Sequence, residues 1–230
     1  MIRRFLRRLR DETRGLAIVE FALATPIVLS VVLAGLELTN FTIAKMRMSQ
    51  LALQLADNGS RIGTNSLLTD PQISESQIND MLTGANLQSG SLSLFARGRI
   101  IISSLEPDPN NTGKYYIHWQ RCRGAKNVQS SYGKVGVTSG VDKGVNMTGM
   151  GPTTPTNRQV TAPTGGGVIY VEIQYDYKPL VFQRLAPTNT IREVAAMTVR
   201  DKRDFSGNGG VGIYNVEAAT ASSCSTFSAT

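Results

Sequence analysis

From Leu16 to Leu36 the chain reads LAIVEFALATPIVLSVVLAGL, twenty-one residues whose one charge is Glu20. A helix needs about 20 such residues to cross a bilayer, so the run predicts a transmembrane helix. A buried helix of a soluble domain is the alternative. Pro26 removes one backbone donor and crowds the carbonyl of residue 22, and apolar residues resume at Ile27, which predicts a kink rather than a stop. Past the run the helical period persists. Ala44, Met48, Leu51 and Leu55 follow a 4-3-4 spacing and form one apolar stripe, with Lys45, Arg47, Gln50 and Gln54 on other faces. Asn58-Gly59 reads as a C-terminal stop. Residues 16 to about 58 then make one helix of roughly 64 Å at 1.5 Å per residue, its second half laying the stripe on a core.

A second helix is predicted over 70–83, capped by Asp70, with Pro71 in the first position and Gly84 at the close. After it the period changes to two. SLSLFA alternates, and RIIISSLEP follows across Arg97-Gly98, a hairpin pattern. KYYIHWQRC (114–122) and VIYVEIQYDY (168–177) read as strands, the latter ended by Pro179. IREVAAMTVRD (191–201) is a last strand with helix as its rival. Without crossover helices between them, the strands predict an antiparallel sheet and an α+β fold. Residues 124–167, rich in Gly, Thr, Ser, Pro and Asn, read as a mobile loop or a presented surface.

Charge adds direction. The formal net charge is +7, and Arg3, Arg4, Arg7, Arg8, Arg10 and Arg14, against Asp11 and Glu12, place +4 of it in the first fourteen residues. A basic tip before an apolar run is a topology signal that keeps the tip in the cytoplasm. No basic stripe interleaved with aromatics appears, which argues against nucleic acid. Signs of catalysis or cofactor binding are weak. His118 is the sole histidine and sits within an aromatic strand; two cysteines and one histidine cannot build a common structural zinc site. Gly207, Gly209 and Gly212 fit G-x-G-x-x-G, but in a polar tail rather than a βαβ unit. Glu106, Asp108 and Asn110 alternate like a calcium loop, yet prolines intervene and Ile117 stands where a glutamate is needed.

Glu20 is the anomaly. At a bilayer centre a carboxylate costs roughly 2.5–3.5 kcal/mol, less near the interface, where it can snorkel. A cut after Gly15 gives it a purpose: Leu16 becomes an N-terminus with a positive amine, and Glu20 becomes the fifth residue, able to pair with the amine of a neighbouring helix and set the register between them. Ala22-Leu23-Ala24 and, more weakly, Val32-Leu33-Ala34 offer signal-peptidase sites instead, and an uncleaved signal anchor is a third possibility.

Arg14-Gly15 followed by LAIV and Glu20-Phe21 resembles the processing site of type IV prepilins, and RGLAIVEFAL is similar to the TadE-type pseudopilins of tight-adherence (Tad) pilus systems. The resemblance implies a membrane prepilin peptidase that cuts between Gly15 and Leu16, an assembly role for Glu20 and Phe21, and a bacterial inner-membrane location with a pilin-like periplasmic head. Phe21 stands where the major Tad pilin has tyrosine, and the chain is far longer than those fibre subunits, so a minor subunit is implied. Partners would be other pilin-like subunits and the Tad machinery: a secretion ATPase, platform proteins and an outer-membrane secretin. The organisation expected is a leader 1–15, a membrane helix 16–36, its periplasmic extension 37–60 and a β-rich head 61–230. In an oxidising periplasm Cys122 and Cys224 would form one disulfide, against two free thiols. No cofactor is expected. The competing reading is a signal-anchored periplasmic binding or enzymatic domain, for which Glu20 is incidental.

Overall fold

The computed structural model describes residues 14–66 and 69–229; the leader expected over 1–15 lies outside it as far as residue 13. Two compact units emerge, one made of the chain up to Ile43 together with Lys178–Asn189, the other of Ala44–Tyr177 with Thr190 onward. A single 48-residue helix, α1 (Arg14–Arg61), contributes to both and runs through Pro26 without a break.

In the second unit α1 buries the stripe read from its spacing, Ala44, Met48, Leu51 and Leu55, together with Ala52 and Ala56. The helix does not stop at Asn58-Gly59. Gly59 is not in the left-handed conformation of a cap; its missing side chain is needed for clearance, since a Cβ there would lie 2.9 Å from Cγ2 of Ile169. The carbonyls at the helix end are taken instead by the buried guanidinium of Arg203, which donates to Gly59 O at 3.2 Å and to Ile62 O. A cation at the negative end of the helix dipole replaces the glycine cap.

Strands β1 (Thr64–Ser66) and β2 (Thr69–Gln72) pair antiparallel. The helix predicted over 70–83 is present but shifted: Asp70 and Pro71 belong to β2, and α2 spans Glu75–Ser89, passing straight through Gly84. Ser74 and Gln77 explain the shift. They form a reciprocal capping box that satisfies two orphan N–H groups, whereas Pro71 lacks a donor and is tolerated in a short strand. The predicted SLSLFA strand is absent. A 3-10 turn at Gly90–Leu92 leads into a single helical turn, α3 (Leu94–Arg97). Ser89 Oγ accepts the Leu94 N–H at 3.1 Å and Asn86 Oδ1 accepts that of Phe95 at 2.9 Å, so side chains of α2 take the donors a strand would have offered its neighbour.

β3 (Gly98–Pro107), β4 (Tyr115–Arg123), β5 (Val168–Asp176) and β6 (Thr190–Thr198) form one antiparallel sheet in the order β4-β3-β5-β6. Pairing of β6 with β5 from Asp176↔Thr190 to Val168↔Thr198 settles the strand-or-helix ambiguity of residues 191–201. β3 and β5 are central and buried on both faces, which is why Ile100, Ile101 and Ile102 occur in succession. On one face Ile169 meets α1 at Gly59. On the other, residues 124–167 are folded down as a packed layer: Met147, Met150 and Ala162 cluster with Leu105, Ile117, Val168 and Tyr170. The long irregular stretch is thus core-forming although it holds no helix or extended strand. Gly124 makes its start possible. Its φ is +126°, and a Cβ would fall 2.2 Å from Gly98 O.

The C-terminal tail is drawn along the edge of β4. Cys122 N–H donates to Ser222 O at 2.9 Å, and Cys122 and Cys224 are joined by a disulfide. Arg99 passes beneath. Fully buried, it donates to the carbonyls of Gly124, Cys224 and Thr226 at 2.8–3.0 Å and lies 4.2 Å from the Phe227 ring centre. Three peptide dipoles and a ring face compensate this charge in place of a carboxylate.

Candidate assembly helix

The N-terminal part of α1 has a different surface from the rest of the molecule. Its most apolar stretch reaches a mean hydropathy of 2.3, and none of that stretch is buried. Ile18 and Phe21 are 71% and 72% exposed, and Leu23, Ile27, Leu29, Val31 and Leu36 are also exposed, so apolar groups face outward all round the helix rather than along one stripe. Burying each such side chain is worth about 1.5–3 kcal/mol. A helix apolar on every side belongs in lipid or among other helices. Its hydroxyls are already satisfied within the helix: Thr25 donates to Phe21 O at 2.6 Å, Ser30 to Pro26 O at 2.7 Å and Thr39 to Gly35 O at 2.8 Å. Such back-bonding removes the need for water.

Gly15, Glu20 and Phe21 all stand on the open surface of this helix, and among the described residues no atom outside the adjoining helix backbone comes within 4 Å of where a Cβ on Gly15 would be. Glu20 lies four residues, about one turn, from Leu16.

Sequence reasoning overlooked a second acid. Glu37 follows directly on the apolar run, is fully buried, and accepts the backbone N–H groups of Leu180 at 2.9 Å and Val181 at 2.8 Å through Oε2. The only hint was its position at the end of the run; the partner backbone lies 143 residues away.

In the head, His118 makes two hydrogen bonds, Nδ1 to Glu106 Oε2 at 2.7 Å and Nε2 to Gly210 O at 2.9 Å. Both partners are acceptors, which calls for the doubly protonated ring. The Glu106 hydrogen bond accordingly raises the His118 pKa, against the opposing effect of burial. With both nitrogens engaged the ring is a strut. Gly207, Gly209 and Gly212 lie in an irregular segment around a 3-10 turn at Asn208–Gly210, with no βαβ unit about them. Asp108 closes the β3–β4 turn on Asn110 N–H and the Asn111 side chain. Among the described residues no group of three or more His, Cys, Asp or Glu could hold a metal.

The family model for TadE-like protein matches residues 15–57. This N-terminal segment is TadE-like. The match begins at Gly15, takes in Glu20 and the whole apolar run, and ends near the close of α1. A search of curated proteins and of solved structures found no match. The TadE-like segment and the exposed apolar helix together point to a membrane-anchored protein associated with the Tad pilus system.

Proposed function

We propose that the chain is a minor pseudopilin of Tad pilus assembly. A prepilin peptidase removes the basic leader after Gly15, residues 16–36 cross the bacterial inner membrane with the leader side cytoplasmic, and the β-rich head is periplasmic. The work is assembly rather than turnover. Other pilin-like subunits and the Tad machinery are its partners, and it needs no cofactor.

The observation that carries this reading is the TadE-like match starting at Gly15, on a helix whose apolar surface is outward on every side and whose lone charge from Leu16 to Leu36 is Glu20. Processing gives Leu16 a free amine. Paired with Glu20 of an adjacent subunit at 4 Å, it contributes about 4 kcal/mol at an effective dielectric of 20. A register that leaves either charge alone in lipid loses that and adds the cost of a bare ion. Glu20→Ala should therefore be inserted and cleaved normally but fail to support pili, scored by electron microscopy in a strain that lacks the native copy. Normal piliation would refute the register role, and an uncleaved, unassembled wild-type chain would favour a signal-anchored periplasmic domain.

A further inference from the structure

Between β5 and β6 the chain runs KPLVFQRLAPTN, residues 178–189, in one compact unit with the N-terminal part of α1. Glu37 fixes it by the N–H groups of Leu180 and Val181. Beyond that point a turn at Gln183–Leu185 lies beside Ser30 and Leu33, and Phe182 to Leu185 bound one cleft with those two helix residues. The apolar side chains of the loop do not fill a core. Leu180 and Phe182 are each 64% exposed and Leu185 is 37% exposed.

We propose that this loop is a second membrane anchor, with Leu180, Phe182 and Leu185 immersed at the headgroup–acyl boundary of the leaflet from which α1 emerges. This rests on the membrane-spanning reading of α1. Three observations support it. The first is depth: Glu37 marks the end of the apolar run, and Ser30, beside the loop tip, is seven residues earlier, about 10 Å along the axis. Interfacial elements insert by about 5–10 Å. The second is that four backbone N–H groups of the loop already have acceptors, which lowers the cost of taking it out of water. Leu180 and Val181 give their N–H groups to Glu37, Leu185 donates to Phe182 O at 3.0 Å and Ala186 to Gln183 O at 3.3 Å, while Pro179 and Pro187 have no donor to satisfy. The third is charge. Lys178 and Arg184 are the ionic side chains of the loop, both exposed and both basic, suited to anionic headgroups that their long stems can reach.

The test uses the full-length chain with its Cys122–Cys224 disulfide intact, carrying Phe182→Cys, Val28→Cys or Val216→Cys, nitroxide-labelled and reconstituted in phosphatidylethanolamine–phosphatidylglycerol vesicles. Accessibility to oxygen and to a water-soluble nickel chelate is read by electron paramagnetic resonance. Oxygen should exceed nickel at 28 and 182, with the order reversed at 216, which is 82% exposed on the head. A label at 28 in lipid with that at 182 in water overturns the anchor and leaves the membrane helix standing. A label at 28 in water overturns both. An oxygen preference at 182 that disappears on dilution into excess lipid means that a second copy covers the loop, which also overturns the proposal.

Discussion

Leu180 donates its backbone N–H to the carboxylate of Glu37 over 2.9 Å, tying two stretches of chain 143 residues apart at the end of the apolar run. Removing that acceptor strands two N–H groups, at about 1–3 kcal/mol each if they stay dry. Glu37→Ala should therefore release the 178–189 loop and speed tryptic cleavage after Arg184, while Glu37→Gln, whose amide oxygen can still accept, should protect it almost as well as the native acid. Equal cleavage rates in all three forms would show that the carboxylate does not hold the loop.

Two helical glycines should respond oppositely to alanine. At Gly84 a Cβ meets nothing within 4 Å and the backbone is helical, so Gly84→Ala should stabilise by about 0.5–1 kcal/mol through helix propensity alone. At Gly59 the same gain is opposed by a Cβ 2.9 Å from the Ile169 methyl. Overpacking of this kind costs about 1–3 kcal/mol, so Gly59→Ala should be destabilising on balance. Urea midpoints decide both, and a stabilised Gly59→Ala would mean that α1 does not press on β5 as described.

His118 should make head stability depend on pH. Its pKa is raised above the ordinary 6.5 by Glu106. A histidine whose folded pKa exceeds its unfolded one adds stability that is complete below the unfolded value and is lost as pH rises through the folded value. The denaturation midpoint should thus fall on going from about pH 6 to the alkaline side of the folded pKa. His118→Asn, with no ionisation to lose, should start lower and vary less over that window. Parallel profiles would exclude the charged strut.

How much of this was legible in the sequence depended on the range of the interaction. The stripe Ala44–Met48–Leu51–Leu55 and the strand Val168–Asp176 follow from local periodicity, and both stand in the structure. The start of α2 was misplaced although its signal was present: Ser74 and Gln77 have capping-box spacing, but Asp70-Pro71 offered a competing start four residues earlier. The alternation of SLSLFA misled because six residues carry too little pattern to resist side-chain acceptors on a neighbouring helix. Beyond local reach nothing could be read. Arg99 and Arg203 look like surface cations in sequence and are buried against carbonyls that only the fold brings to them. The packing of residues 124–167 depends on Met147 and Met150 finding a sheet face that composition does not announce.

The most direct test of the pseudopilin reading is the N-terminal peptide mass of the protein isolated from membranes of its native host. A mature chain that begins at Leu16 is the predicted result, because cleavage after Gly15 creates the amine that Glu20 is proposed to meet. A chain that retains Met1, or one that begins at Thr25 or Gly35 after a signal-peptidase cut, would contradict it.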